Sequence, residues 1–247
     1  LIYLLFIFLF SYVGLPAEFA IGRWSRTGTL GSYENAWRSR NEKLAPAGRA
    51  LGWLPLAGSL CIAIGYSIIV AYVLKAFVDS ASGLLMQFES FSMTDFSVVP
   101  FHIIVIIGTL LTLLLGASSI EKSNKIMMPL FFLIFVVLAA RVALLPGSAS
   151  GYEFMFIPRW EALKDPTVWI TAMGQAFFSL SVTGSGMIAY GSYLDRKEDV
   201  IAVSRHTAIF DTIAALVAAL VIIPACFSYD VSVDAGPSLL FITLPSI

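Results

Sequence analysis

Between Asp165 and Asp195 no side chain is charged, and the middle of that stretch reads Ser179-Leu-Ser-Val-Thr-Gly-Ser-Gly186. Apart from Leu180 and Val182, the patch consists of Ser, Thr and Gly, which weaken a helix and expose its backbone. Unpaired peptide groups at membrane depth cost several kcal/mol each, so a polar patch inside an apolar run faces protein or a watery cavity. The chemistry it offers is the binding of a polar solute.

Two carboxylates stand well inside apolar segments, Glu18 and Asp211. An acid at that depth is expensive and usually faces a bundle interior, where it serves ions, protons or substrate. Each has a plainer reading: Glu18 paired with Arg23 near the inner surface, and Asp211 exposed at a helix end close to Arg205 and His206. Tyr66 lies within an apolar run beside Gly65, and a buried tyrosine hydroxyl needs a partner, either a ligand carboxylate or a neighbouring helix carbonyl. His102 and His206, at helix ends, read as ordinary histidines. Cys61 and Cys226 are too far apart along the spans for a disulfide, and both are expected to pack.

The elements that must position these groups are membrane helices. The chain is 58% hydrophobic and 13% charged, with a mean hydropathy of +0.87, against roughly 25% charged in a soluble domain. Six apolar segments reach the roughly 20 residues that a crossing needs, at 1–22, 51–78, 98–117, 124–145, 166–194 and 205–227. This predicts an all-α membrane protein forming a single transmembrane domain over 1–247. All but four of its 15 Lys and Arg residues fall in alternate short loops, which orients the first helix toward the cytoplasm and leaves both chain ends near the outer face. Residues 23–50 become a cytoplasmic loop, 79–97 and 146–165 outer loops, and 228–247 the start of a further outer loop. The 79–97 segment has some helical character, Trp160 and Trp169 suit the interface, and Leu194 to Val200 forms a charged, helical inner elbow. A net charge of -1 gives no reason to expect a nucleic-acid partner. The chain opens inside an apolar run without the features of a signal peptide, which suggests part of a longer protein.

Several separated stretches together resemble the neurotransmitter:sodium symporters, particularly the bacterial amino-acid members. They are residues 164–181 (KDPTVWITAMGQAFFSLS) with Tyr190-Gly-Ser-Tyr193, the run from Glu18 to Arg23 (EFAIGR), Ile120-Glu121 with Met128-Pro129, and Phe241-Ile-Thr-Leu-Pro245. The resemblance covers essentially the whole chain as helices two to seven of that family. It implies a LeuT-like inverted-repeat fold in which helix six is broken at mid-membrane and substrate is held there. It further implies a sodium-coupled symporter, and no enzyme, importing an amino acid by alternating access. The setting would be the cell inner (plasma) membrane, with lipid as surroundings and a homodimer left open.

By the same resemblance, Tyr66 bonds the substrate carboxylate, Ile62 lines the side-chain pocket, Phe178 is the lid, and Ser181 and Ser179 lie where unwound backbone meets substrate. Ser179 and Asp211 are two ligands of a sodium ion. Glu18 braces the unwound segment, and Gln175 supports it. The residues matching the chloride ligands of chloride-dependent members are Tyr3, Gln175, Ser179, Asp211 and Ala215. An acid at 211 and no hydroxyl at 215 disfavour that anion, so transport is expected to be chloride-independent. Gly184 stands where a Phe is common, which implies a larger pocket and a bulky aliphatic or aromatic amino acid. Ser119 replaces a Gly that helps helix five unwind.

Other readings are a regulatory or channel-like membrane protein of the same fold, and an intramembrane protease. The protease reading lacks a second membrane aspartate, and Thr183-Gly-Ser-Gly186 lacks the first Gly of a rhomboid-type nucleophile motif.

Overall fold

A computed structural model describes residues 2–83 and 96–233, and over that range the regular elements are all helical. Ten α-helices follow in order: α1 (Ile2–Tyr12), α2 (Gly14–Ser25), α3 (Gly28–Arg38), α4 (Ala45–Ala81), α5 (Val99–Leu114), α6 (Ala117–Ala143), α7 (Ser148–Phe156), α8 (Pro166–Ser179), α9 (Gly186–Tyr193) and α10 (Val200–Ser228). Among the described residues, 5 helical stretches are long and apolar enough to cross a membrane: Ile2–Ser25, Glu42–Ala81, Phe96–Leu114, Ser119–Ala143 and Val200–Ser228. The expected segment 166–194 is not a single long helix but the two shorter ones α8 and α9, separated by residues 180–185.

Helix starts follow from local chemistry. Asp165 caps α8 by accepting from the Thr167 amide at 2.9 Å, and Pro166, which has no amide hydrogen to satisfy, takes the first helical position. Asp199 does the same for α10 through the Ile201 amide at 2.9 Å.

The chain divides into two compact units, 1–63 with 159–213 and 64–158 with 214–247. In the first, α1 packs on α8 and α2 on α9. Ile7, Ala176, Leu180 and Ala208 form one buried cluster, and Leu15, Phe19 and Val200 another, with Val182 packed against both. The α2 and α9 backbones meet at glycines. A Cβ on Gly22 would lie 2.0 Å from the Ile188 carbonyl oxygen, and one on Gly191 would lie 2.6 Å from that of Phe19. Small residues at a helix contact are how backbones approach closely where lipid gives no hydrophobic drive between helices. Because backbone atoms cannot swing aside, Gly22→Ala is expected to cost about 1–3 kcal/mol and to lower the thermal midpoint of the detergent-solubilised protein. Gly174, whose added Cβ meets nothing within 4 Å, is the control. Equal midpoints for the two alanine variants would contradict this packing.

In the second unit, Val142 of α6 is buried with Val221 and Ala225 of α10. Gly151 of α7 lies against Pro224, where an added Cβ would come within 2.4 Å of its Cα. Ser67 and His102 share a hydrogen bond at 2.9 Å.

Two of the expected loops contain helices of their own, and the elbow expected as helical needs correction. Residues 23–50 hold α3 and the start of α4, and 146–165 hold α7 and a tight turn at Trp160–Lys164. The 194–199 elbow is a pair of turns, because Asp195 and Asp199 accept from amides two residues ahead, Lys197 at 3.4 Å and Ile201 at 2.9 Å. Such local bonds compete with helix formation. Arg26 donates to the Leu194 carbonyl at 3.0 Å and Arg23 to that of Glu198, tying the end of α2 to this elbow. Cys226 is buried as expected, whereas Cys61 is exposed. Most of the 79–97 loop, the end of the 228–247 segment and the Phe241 to Pro245 motif lie outside the described residues.

Candidate functional site

The polar patch forms the connection between α8 and α9. The helix stops at Ser179 because Ser181 turns left-handed, at φ 53°, and Gly184 follows at φ 76°. Left-handed backbone is natural for glycine, but a serine there costs on the order of 1 kcal/mol and usually marks a functional segment. The first amides of the connection are paired nearby: Leu180 donates to the Ala176 carbonyl, Ser181 to Phe178, Val182 to Phe177 and Thr183 to Ser181, all at 2.9–3.1 Å. Gly184 is paired differently.

Its amide donates to Oε1 of Glu18, 2.8 Å away on α2. Glu18 is only 9% exposed, and its other oxygen, Oε2, is buried with no partner among the described residues. The alternative partner of Glu18 weighed from sequence, Arg23, is instead engaged with the Glu198 carbonyl.

At the other end of the patch, the Tyr3 hydroxyl donates to Ser179 Oγ at 3.3 Å, and Ser179 Oγ donates to Oδ2 of Asp211 at 2.7 Å. Three helices, α1, α8 and α10, thus meet in one hydrogen-bonded line. The result is a hydroxyl and a carboxylate side by side, both hard oxygen donors. Gln175 is exposed one turn before Ser179, lining with Tyr3 a separate cavity of about 450 Å³.

Two contacts come from α3, which sequence reasoning treated as loop. Thr29 Oγ1 donates to the Ser185 carbonyl at 3.3 Å and lies 3.1 Å from Ser185 Oγ. A Cβ added to Gly184 would stand 2.7 Å from the Tyr33 hydroxyl and 3.5 Å from Pro55 Cβ. The expectation that Gly184 leaves pocket space therefore meets a neighbour: on that side the room is taken by Tyr33. Burial pushes the Tyr33 hydroxyl above its ordinary pKa, and the charge of Glu18 adds to the effect, so Tyr33 keeps its proton as a donor. The signal that was available is the spacing of Thr29, Ser32 and Tyr33, which puts three hydroxyls on one helical face.

The remaining candidates are placed less centrally. Ile62 and Tyr66 lie one turn apart on α4, 39% and 49% exposed, with Tyr66 in the second unit. Phe178 is half exposed on the last turn of α8.

The described residues thus combine apolar helices long enough to cross a membrane with a polar, hydrogen-bonded connection between α8 and α9, and comparison with known proteins says which class of membrane protein this is. The sodium:neurotransmitter symporter family matches over residues 84–247. The uncharacterized sodium-dependent transporter YhdH of Bacillus subtilis is 30% identical over all of this chain and 55% of its own length. An uncharacterized sodium-dependent transporter of Haemophilus influenzae is 26% identical over 99% of this chain and 57% of its own. The crystal structure of MhsT in complex with L-phenylalanine superposes with a TM-score of 0.88 at 31% identity, covering 99% of this chain and 56% of that one. The chain belongs to the sodium:neurotransmitter symporter family. It spans about half the length of the relatives it matches.

Proposed function

We propose that this chain is the helix-two to helix-seven part of a sodium-coupled amino-acid symporter of the inner membrane. In this reading α8 and α9 are the two halves of one crossing, the fifth of this chain and the sixth of the family, broken at mid-membrane. The observation that carries it is the way the connection is held: Gly184 by Glu18 at one end, Ser179 by Asp211 at the other. A half-helix end and an unwound backbone present amides and carbonyls that an apolar helix would hide, and these serve an amino acid and its coupling ion.

The sodium ion is a transported partner. Ser179 Oγ and the Asp211 carboxylate would hold it, the hydroxyl turning its lone pairs to the cation and its proton elsewhere. Tyr66 would meet the substrate carboxylate, Ile62 and Phe178 its side chain, and Ser181 the edge of the unwound backbone. Transport is chloride-independent in this account, because Asp211 supplies the fixed negative charge that a chloride would otherwise bring. Support comes from the line Tyr3, Ser179, Asp211, in which the acid already takes the acceptor's place.

The preferred substrate is a bulky aliphatic or aromatic amino acid. With Tyr33 filling the space beside Gly184, that proposal rests on likeness to MhsT, whose structure holds L-phenylalanine. A competition-binding screen on the full-length protein, in sodium and in potassium, tests it. Large apolar amino acids should compete best and only in sodium. Glycine or alanine outcompeting every large amino acid would refute the substrate class, and equal binding in potassium would refute the coupling.

A further inference from the structure

A second cavity, of about 490 Å³, lies between α1 and α10 within the first unit and plays no part in the transport reading. Its walls are Leu4 and Phe8 of α1 and Ile209 and Ile213 of α10, each more than a third exposed. Of the three hydroxyls in the lining, Ser11 and Thr212 are spent on their own helices, on the carbonyls of Phe8 and Ala208, so the walls away from Tyr12 are effectively apolar.

One end is different. Arg205 donates to the Tyr12 hydroxyl at 3.1 Å, and its guanidinium stands 5.2 Å from the centre of the Tyr12 ring. The ion pairs found among the described residues do not include Arg205. A guanidinium has five N–H donors, so most of its fork is available, held in place by a neutral aromatic ring. That fork matches a phosphate bidentately.

The Lys and Arg distribution puts the start of α10, beside Arg196 and Lys197, on the cytoplasmic side. At 1.5 Å per residue, Arg205 lies roughly 7.5 Å into the helix and Ile213 about 12 Å deeper. The apolar groove therefore runs from a cationic mouth at headgroup level toward the hydrocarbon.

The geometry points to an anionic phospholipid of the inner leaflet, its phosphate on Arg205 and one acyl chain along the α1 and α10 walls. A free phosphate would leave the apolar walls unused, and a zwitterionic lipid would bring a cation beside the guanidinium.

Native mass spectrometry of the full-length protein in mild detergent tests this, with phosphatidylglycerol and phosphatidylethanolamine of identical acyl chains added in equal amounts. The protein should retain phosphatidylglycerol about fivefold over phosphatidylethanolamine, as one interfacial arginine allows. Arg205→Gln should erase that ratio, and Ile209→Trp, which fills the groove, should release both lipids. The ratio is read on folded protein only, so a loss of yield does not imitate the result. Equal retention of the two head groups by the unaltered protein, or an unchanged ratio in Arg205→Gln, overturns the assignment. An Ile209→Cys variant that resists a membrane-permeant maleimide in delipidated protein also overturns it, since another part of the protein would then cover the groove.

Discussion

Asp211→Asn in the full-length protein is expected to raise the sodium concentration needed for half-maximal substrate binding by at least about tenfold, or to make binding depend on chloride. The carboxylate stands 2.7 Å from Ser179 Oγ, and asparagine keeps its shape while removing its charge. A full charge about 4 Å from a cation is worth roughly 4 kcal/mol at an effective dielectric near 20, and each 1.4 kcal/mol lost is tenfold in affinity. A chloride lodged beside Tyr3 and Ser179 could restore the missing charge, so the same variant should respond to replacing chloride by gluconate. Sodium titrations of labelled substrate binding in the two salts check both outcomes. Unchanged sodium and chloride dependence would sink the assignment of Asp211.

Glu18→Ala is expected to abolish measurable substrate binding while leaving membrane insertion intact. The Gly184 amide would lose its buried acceptor, at a cost of about 1–3 kcal/mol, on a connection already carrying a left-handed Ser181. The freed segment would no longer hold its conformation. Glu18→Gln retains a carbonyl oxygen for the same amide and should recover part of the binding. A binding isotherm for the three proteins, with size-exclusion profiles to verify folding, decides it. Glu18→Ala binding like the unaltered protein would remove Glu18 from the site.

What could be read from the sequence was whatever is costly in a membrane. Glu18 and Asp211 stood out because a carboxylate in an apolar run needs a reason, and the structure gives each a hydrogen-bonded partner in the polar patch. The connection itself was marked by composition, since Ser, Thr and Gly cluster nowhere else in so apolar a stretch. Contacts that depend on which helices pack together left no such mark. Gly22 and Gly191 are isolated glycines in sequence, and only the α2 and α9 crossing makes them a pair. Tyr33 and Thr29 sat in a stretch rich in polar residues that read as a loop, and their approach to Gly184 and Ser185 follows from how α3 lies against α9. The inner elbow failed as a helix for a local reason: two aspartates four residues apart each bond an amide two positions on.

Under the proposed function, the connection between α8 and α9, held by Glu18 and Asp211, belongs to a sodium-coupled amino-acid carrier. Uptake of labelled L-phenylalanine into proteoliposomes of the full-length protein tests it most directly, with an inward sodium gradient imposed in chloride and in gluconate. Concentrative uptake is expected in both salts, and none when potassium replaces sodium. Uptake that persists without sodium, or no uptake of any amino acid under a sodium gradient, would contradict it.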